Sequence, residues 1–433
     1  MILLVACHSP LDTGAPTDDT QDTEAEEEVW EHLIEVGEGF EYAHPNEVPW
    51  EALEPSTHVL IHEGTYVAKW VIDGMGPIKV EGVGTVIIDG EGAETRQALD
   101  YWNEDRSVIK IGGGGLTEVA TDITVENLKV RGGQRDHGFT DDAGQAGVYA
   151  DNAACIHVEA ATGVRLVGNE LSDCGNGLFV SPLSGEVLVR GNFLHHNGVP
   201  GSAYEHNSYT EAASIVFEFN RYGPLRAEAD GNNLKDRSGS TTIRYNWIEA
   251  GNRQLDLVES ETFDQAAPAW VYGNVLLEPD GAGNSQIVHY GGDGGDTSHY
   301  RSGTLHFFHN TVVSTRSGNT TLVRLSTSTT PIEARSNVVV AGSLAISAGA
   351  GQVSLVDNAL PEGWRETFEA QHEGSLTDEA TLTADPLLDA EARPQAASPL
   401  LGAAGDLASG APEVDQEYVQ HQRAGERSAR TTI

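Results

Sequence analysis

The segment NNLKDRS, residues 232–238, places a lysine and an arginine two positions apart. Lys235 is one of five lysines in a chain of 433 residues with formal net charge -41, and no other lysine follows residue 129. Residues two apart on a β-strand point to the same side, so Lys235 and Arg237 would share one face. Because nearby arginines lower the pKa of a lysine, Lys235 could serve as a general base. Scattered solvated charge is the alternative.

Several further arginines surround this segment. The basic residues of the cluster are Arg221, Arg226, Lys235, Arg237, Arg244 and Arg253. The acidic excess of the whole chain opposes polyanions at long range, so we expect no nucleic-acid partner, and an acidic substrate would need such a local basic patch. We take Arg226, Arg253, Asp256 and Glu259 as candidate substrate-binding residues.

The segment EHNSYT offers a second pair of groups that could transfer protons. His206 could act as a base and Tyr209 as an acid. A histidine in a polar turn is also commonly an ordinary hydrogen-bonding residue, and the sequence leaves both interpretations of His206 open.

A repeated phrase, in which an asparagine precedes a β-rich run, predicts the elements that position these residues. Its nine asparagines are separated by 42, 23, 28, 26, 28, 36, 27 and 21 residues: Asn127, Asn169, Asn192, Asn220, Asn246, Asn274, Asn310, Asn337 and Asn358. Short alternating segments without an intervening amphipathic helix indicate a solenoid of parallel strands, with the asparagines stacked at one corner. A propeller or an antiparallel sandwich fits this spacing less well.

Aligning the units at their asparagines predicts which residues share a face. If Leu178, Leu234, Leu255, Ile287 and Leu322 point inward, alternation sends the next residue of each strand outward. The predicted outward column is Phe179, Tyr209, Lys235, Asp256, Val288 and Val323. Long loops flank it at residues 195–206, 222–233, 278–285 and 291–301, so Lys235 would lie on the floor of a cleft. A structural Lys235–Asp256 pair, worth ~0.2–1 kcal/mol if exposed, is the competing interpretation.

The segment GGDGGD (291–296) lacks the repeats of calcium-binding β-rolls, and a plain loop is favoured.

The same register addresses the cysteines. Cys155 aligns with Gly177, and Cys174 aligns with Asn197. An offset of three strand residues adds ~10 Å, beyond the ~7 Å limit between the Cα atoms of a disulfide. We therefore predict two free, buried thiols.

Three segments resemble the pectin-lyase-like class of proteins: HVLIHEGTYVAKWVI (58–72), VIIDGEG (86–92) and ADPLLDAEARPQAASPLLGAAG (384–405). The resemblance covers roughly residues 55–412. It implies an all-β fold, a single-stranded right-handed parallel β-helix, which hosts lyases, hydrolases, epimerases and adhesins.

Residues 228–260 resemble the active rung of the alginate lyase and chondroitinase B family. The resemblance implies β-elimination on a uronate glycan, with Ca²⁺ held by Glu228 and Asp230 and with Lys235 as the catalytic base. Val258 stands where the family has an arginine, so Arg237 would take over the role of assisting departure of the leaving group.

Two other functions stay open. An inverting glycoside hydrolase would need two carboxylates ~6.5–9.5 Å apart, such as Asp256 with Glu259 or with Asp230. A non-catalytic surface protein that binds glycans is the other alternative.

The ends of the chain suggest its location. Leu4-Val5-Ala6-Cys7 resembles a bacterial lipobox, which implies lipidation of Cys7, although only MILLVA precedes the cysteine. We predict a lipoprotein-like remnant and acidic disordered tether over 1–31, a β-helix domain over 32–412 and a polar tail over 413–433. We expect a monomer at the cell surface, on the outer membrane or outside the cell, attached to a membrane only through a lipid.

Overall fold

The fold is known from a computed structural model that describes residues 29–99, 101–113, 119–370 and 373–427. Cys7 and nearly all of the predicted tether lie outside these residues. Thirty strands form one sheet that winds as a solenoid, with parallel pairing between successive coils. The predicted right-handed parallel β-helix is the fold. Only short 3₁₀ turns interrupt the described strands: Pro45–Glu47, Trp50–Ala52, Glu104–Arg106 and Thr297–His299.

Each coil contributes strands to three faces. The first face contains His32–Val36, Thr57–Ala68, Met75–Glu94, Ala120–Arg131, Ala161–Thr162, Val164–Val167, Asn176–Arg190, Ser208–Glu218, Ser240–Arg244, Ala269–Tyr272, Leu305–Phe308, Pro331–Arg335, Leu344–Val356 and Glu373–Glu379. The second face contains Glu170–Ser172, Phe193–His195, Arg221–Tyr222, Trp247–Glu249, Val275–Glu278, Thr311–Ser314 and Val338–Val340. The third face contains Trp70–Ile72, Ser107–Ile111, Ala154–Val158, Leu234–Asp236, Leu255–Leu257, Gln286–Tyr290 and Thr320–Leu325.

Six longer strands of the first face continue around a corner. Thr57–Ala68, Met75–Glu94 and Ala120–Arg131 turn onto the second face, whereas Asn176–Arg190, Ser208–Glu218 and Leu344–Val356 begin on the third. The inward side chains of all three faces form one apolar core along the solenoid axis. Two antiparallel hairpins lie outside the faces, at Gly138–Thr140 with Ala146–Val148 and at Gln416–Val419 with Arg423–Glu426.

Eight buried asparagines form a hydrogen-bonded ladder at the corner between the first and second faces. They are Asn169, Asn192, Asn220, Asn246, Asn274, Asn310, Asn337 and Asn358. At each step the side-chain oxygen accepts from the backbone and side-chain N–H groups of the preceding asparagine, as Asn246 does from Asn220 at 2.9 Å each. The predicted stacking is confirmed for these eight, and it supplies partners for buried backbone groups at every turn.

Asn127 does not belong to this asparagine ladder. Its φ of 57° is the left-handed conformation that Gly168 and Gly273 adopt immediately before their ladder asparagines. The ladder position of this coil is therefore Leu128, whose N–H donates to the Asn169 side chain at 3.0 Å. The prediction was wrong here because asparagine tolerates the left-handed region and can replace glycine at the corner.

The C-terminal segment packs against the coils. The Gln422 side chain donates to the carbonyl of Gly191 at 2.8 Å, and the rings of Tyr418 and Trp247 lie 6.0 Å apart. Val414 joins a second apolar cluster with aromatic residues of the first face. The described part of the predicted polar tail, residues 413–427, thus packs on one side of the solenoid.

Cys155 and Cys174 form a disulfide, so the prediction of free thiols was wrong. The predicted alignment of Cys155 with Gly177 is correct, yet the two Cα atoms are only 5.6 Å apart. Asp173 has a φ of 58°, and the chain bends through the corner at Cys174. The residues between Cys174 and Gly177 therefore do not advance at the rise of an extended strand, which the prediction assumed.

Over the described ranges, none of the helices has the length and apolar character that a membrane span requires.

Candidate active site

One outward column of the third face carries the candidate residues. Consecutive coils place in register Phe179, Tyr209, Lys235, Asp256, His289 and Arg324. The prediction is confirmed from Phe179 to Asp256 and wrong beyond it, where His289 and Arg324 replace Val288 and Val323. Ile287 and Val288 precede His289, and Leu322 and Val323 precede Arg324. Because both residues of each pair are apolar, the sequence could not show which one points inward.

Loops rise on both sides of this column. Residues 195–206 and 222–233 lie at the corner before the third face, and they are joined by backbone hydrogen bonds from Gly201 to Glu228 and from Asp230 to Ser202. Residues 291–301 lie at the opposite corner, after the third face. The column therefore lies between loops from both corners, as the loop lengths predicted, and the surface between these loops is called the groove below.

Lys235 lies between two carboxylates. Its Nζ atom is 2.9 Å from Asp256 Oδ2 and 3.2 Å from Asp293 Oδ2. Burial alone would lower the pKa of Lys235, and Arg237 acts in the same direction, but the two carboxylates outweigh both effects and raise the pKa above its usual value. The predicted lowering was wrong because the arginine cluster is matched by Asp256 on the next coil and Asp293 on the coil after it. Lys235 is a cation at neutral pH.

Asp256 is buried at the centre of this cluster, with 1% of its side chain exposed, and it contacts several of the other residues. Besides Lys235, it accepts from Asn232 Nδ2 at 2.7 Å and contacts His289 Nδ1 at 2.8 Å. Burial would raise its pKa, but the bond from His289 and the charge of Lys235 hold that pKa far below the usual range. The other ring nitrogen of His289 lies 2.9 Å from Ser326 Oγ. Asp256 is therefore a permanent anion that orients its neighbours and cannot donate a proton near neutral pH.

Arg237 connects the column to a tyrosine hydroxyl. Its Nε atom donates to Tyr209 Oη at 3.1 Å, and its Nη1 atom donates to the carbonyl oxygen of Glu259 at 2.7 Å. Its Nη2 atom reaches Asp293 Oδ1 at 3.3 Å. Tyr209 is partly exposed in the groove, so a phenol that can meet a ligand is held directly against a guanidinium.

His206 packs behind Tyr209, with ring centroids 5.5 Å apart. Its Nδ1 atom accepts the N–H of Asn232 at 2.9 Å, which requires that nitrogen to be unprotonated. Burial, followed by the charge of Lys235, lowers the pKa of His206 to about 3. The ring is almost inaccessible and its Nδ1 is occupied, so this geometry suits the positioning of Asn232 better than contact with a substrate.

Glu259 supports a loop instead of lining the groove. Its carboxylate accepts the backbone N–H groups of Asp293 and Gly294 at 2.9 and 2.7 Å, and its Oε1 atom lies 3.4 Å from Arg237. Asp293, which reaches both Lys235 and Arg237, was missed by sequence reasoning. The signal was its place in one of the long loops, but nothing in GGDGGD shows which acidic residue turns inward.

The structure separates the remaining candidates. Arg253 lies beside the cluster, 3.9 Å from Asp256, and donates to Gln286. Arg226 instead pairs with Asp173 at 2.9 Å and donates to the Gly198 carbonyl, and among the described residues it makes no hydrogen bond or ion pair with Lys235.

The predicted calcium ligands Glu228 and Asp230 are both exposed on the 222–233 loop. Within the parts of the chain that the structure describes, no three His, Cys, Asp or Glu side chains are grouped as a metal site would require. Ca²⁺ takes about six to eight oxygen ligands, more than these two carboxylates supply on their own.

The hydrolase alternative also fits poorly. One carboxylic acid of an inverting pair must hold a proton near neutral pH. Asp256 is held ionised, Glu259 accepts two backbone N–H groups, and Asp230 is exposed on a separate loop. None of these pairs is arranged as an accessible acid opposite a base.

No family model matches this chain, and no curated protein matches it. Similar solved structures include an alginate lyase from Paenibacillus sp. str. FPU-7, with 12% identity over 77% of this chain and 95% of that chain at a TM-score of 0.49. Pectate lyase Pel9A has 13% identity over 88% and 93%, also at 0.49. A family 28 exopolygalacturonase of Yersinia enterocolitica has 10% identity over 82% and 76%, at 0.46. Similarity this distant does not indicate which reaction the protein catalyses.

Proposed function

We propose that this protein is a polysaccharide lyase that cleaves uronate-containing glycans by β-elimination. The observation that carries the proposal is the contact between the partly exposed Tyr209 hydroxyl and the Arg237 guanidinium, beside the Lys235 ammonium. The groove thus presents a proton-transfer group and two cations in a protein of net charge -41. A local cationic site of this kind suits an acidic glycan.

β-Elimination needs three things from the protein. The uronate carboxylate must be neutralised, the proton on C5 must be removed, and the departing oxygen on C4 must gain a proton as the C4–O bond breaks and the C4–C5 double bond forms. Lys235 and Arg237 supply positive charge for the carboxylate. Tyr209, acting as a phenolate whose oxygen accepts from Arg237 Nε, takes the proton from C5 and donates it to the departing C4 oxygen, so the step needs no other proton.

This assignment changes the role expected of Lys235. A lysine whose pKa is raised by two carboxylates holds its proton and is a poor base at neutral pH. We therefore assign removal of the C5 proton to Tyr209 and charge neutralisation to Lys235. Arg237 keeps its predicted role of assisting departure of the leaving group. His206 is assigned the positioning of Asn232. A requirement for Ca²⁺ stays a prediction, tested by adding a chelator to the same assay.

The test is the ultraviolet absorbance of unsaturated uronate products during incubation with alginate, pectate, chondroitin sulfate, dermatan sulfate and heparinoids. We expect Tyr209→Phe to lower kcat by about 10²-fold or more with little change in KM. Lys235→Gln should raise KM by about 10- to 100-fold, since a hydrogen bond to a charged group contributes ~1.5–3 kcal/mol.

Tyr204→Phe is the matched control, because Tyr204 is a highly exposed tyrosine on the neighbouring loop. Its kinetics should equal those of the unmodified protein. Full activity of Tyr209→Phe would refute the assignment. No absorbance change on any polymer, together with measurable glycan binding, would favour a non-catalytic binding protein.

We also propose that the protein works outside the reducing cytosol, at the cell surface or secreted. The Cys155–Cys174 disulfide supports this location because disulfides persist mainly in oxidising compartments. Lipidation of Cys7 remains a prediction that mass spectrometry of the mature N-terminus would test.

A further inference from the structure

The 291–296 loop places a carboxylate of the protein's own chain between the two cations of the groove. Asp293 Oδ2 lies 3.2 Å from Lys235 Nζ, and Asp293 Oδ1 lies 3.3 Å from Arg237 Nη2. One planar carboxylate therefore spans two cations with one oxygen on each. Both distances exceed the ~2.7–2.9 Å of a strong charge-assisted hydrogen bond.

Exposure distinguishes Asp293 from the other carboxylates that contact these cations. Its side chain is 46% exposed, compared with 1% for Asp256 and 8% for Glu259. Asp256 and Glu259 are fixed by the solenoid, whereas Asp293 lies on an exposed stretch of loop. Asp293 is thus the partner of Lys235 and Arg237 that a ligand can replace without unfolding a coil.

Hydrogen bonds hold the backbone of the loop. At its start the N–H of Gly291 donates to the Leu257 carbonyl and the N–H of Gly292 donates to Ser326 Oγ. Further along the loop the contacts are fewer. Glu259 accepts its backbone N–H groups at Asp293 and Gly294, and the Tyr300 hydroxyl accepts the N–H of Gly295 at 2.9 Å. At Gly294 a Cβ atom would lie 2.5 Å from Glu259 Oε1. A side chain at this position would therefore push the loop away from Glu259.

We propose that Asp293 occupies the subsite of the substrate's uronate carboxylate, and that a glycan must displace it to bind. This inference rests on the proposed function, because it takes the ligand to be a uronate. A uronate carboxylate has the same planar pair of oxygens and can take the same two positions. The 291–296 loop then acts as an internal competitor that leaves the groove when an acidic glycan enters.

The size of the effect follows from the two ion pairs. A half-exposed pair favours the closed loop by a factor of about 1.4–5, so two pairs reduce apparent affinity by about 2- to 30-fold. Asp293→Asn removes the competing charge and keeps the size of the side chain. It should tighten binding of sodium glucuronate by that factor, measured by isothermal calorimetry at constant ionic strength. Methyl glucoside, which has no charge, should bind both proteins equally.

Asp296→Asn is the matched control, because it removes the same charge from the same loop and because Asp296 contacts Ser298 and His299 instead of Lys235 or Arg237. Its glucuronate affinity should stay within about twofold of the unmodified protein. Gly294→Ala is a second test that leaves every charge in place, and it should also tighten binding by opening the loop. Equal affinity of Asp293→Asn and Asp296→Asn would overturn the proposal, and so would the absence of glucuronate binding to Asp293→Asn.

Failure of this inference is distinguishable from failure of the proposed function. Elimination on a polymer without any gain in affinity from Asp293→Asn would leave the lyase intact and remove Asp293 from the subsite. Tighter glucuronate binding by Asp293→Asn without elimination on any polymer would keep the subsite and refute the lyase.

Discussion

Replacing one rung of the asparagine ladder should destabilise the protein far more than replacing an exposed asparagine. Asn246→Ala removes the side-chain oxygen that accepts both the backbone and the side-chain N–H of Asn220 on the preceding coil, and it removes the 2.9 Å bond from Asn246 Nδ2 to the Phe217 carbonyl. The side-chain amide of Asn220 keeps its bond to Val189, but its backbone N–H loses this acceptor.

The magnitude follows from the groups left behind. The buried N–H of Asn220 loses its acceptor, at ~1–3 kcal/mol, and the Phe217 carbonyl loses one hydrogen bond, at ~0.5–1.5 kcal/mol, so the free energy of unfolding should fall by about 2–4 kcal/mol. That is a large part of the ~5–15 kcal/mol that stabilises a typical domain.

Asn127→Ala is the comparison, since Asn127 is exposed and outside the ladder. Its substitution should lower the free energy of unfolding by about 1 kcal/mol, because alanine is disfavoured at the left-handed φ of 57° that asparagine tolerates. Urea denaturation followed by tryptophan fluorescence measures both variants. The reasoning is refuted if Asn246→Ala shifts the midpoint no further than Asn127→Ala does.

Two further outcomes are expected. Ser336 has a φ of 52° and a buried hydroxyl without a hydrogen-bond partner. Ser336→Gly removes both costs but adds conformational freedom to the unfolded chain, so the free energy of unfolding should rise by a net ~1 kcal/mol. A lower urea midpoint would contradict this. His206 has a pKa of about 3 when folded, against 6.5 when free, so between these values the unfolded chain binds more protons and stability falls as pH falls. Between pH 7 and 4.5 this amounts to ~2–3 kcal/mol, and His206→Asn should remove it; an unchanged difference between the urea midpoints at the two pH values would show that His206 is not responsible.

The sequence predicted the solenoid and part of the candidate site because their signals are local and repeated. The asparagine of each coil marks one corner, and counting from it placed Tyr209, Lys235 and Asp256 in adjacent positions of one column. The alignment from the asparagines gave the wrong residue at Asn127 and at His289 for the same reason. In both places two neighbouring residues were acceptable at one position, and only the backbone conformation decides between them.

The charges of the groove could not be predicted because loops bring them together. Asp293 is separated from Lys235 by 58 residues, and its approach depends on how the 291–296 loop folds against Glu259. The prediction of a lowered Lys235 pKa considered its arginine neighbours, treated the pair with Asp256 only as a competing interpretation, and did not include Asp293. The disulfide was missed in the same way, because the path of the chain through the corner at Cys174 is not visible in residue counts.

The ends of the solenoid also limit how this protein can associate. Glu373–Glu379 pairs on one edge with residues 350–356 of the preceding coil, and within the described residues no strand continues the sheet on its other edge. An open parallel edge is a template on which a second molecule could continue the coil into a fibre. This strand is exposed and acidic, with Glu373, Asp378 and Glu379, while Glu31 and Glu35 lie at the opposite end. Like charge at both ends opposes stacking of one solenoid on the next, which gives a physical reason to expect single molecules over filaments.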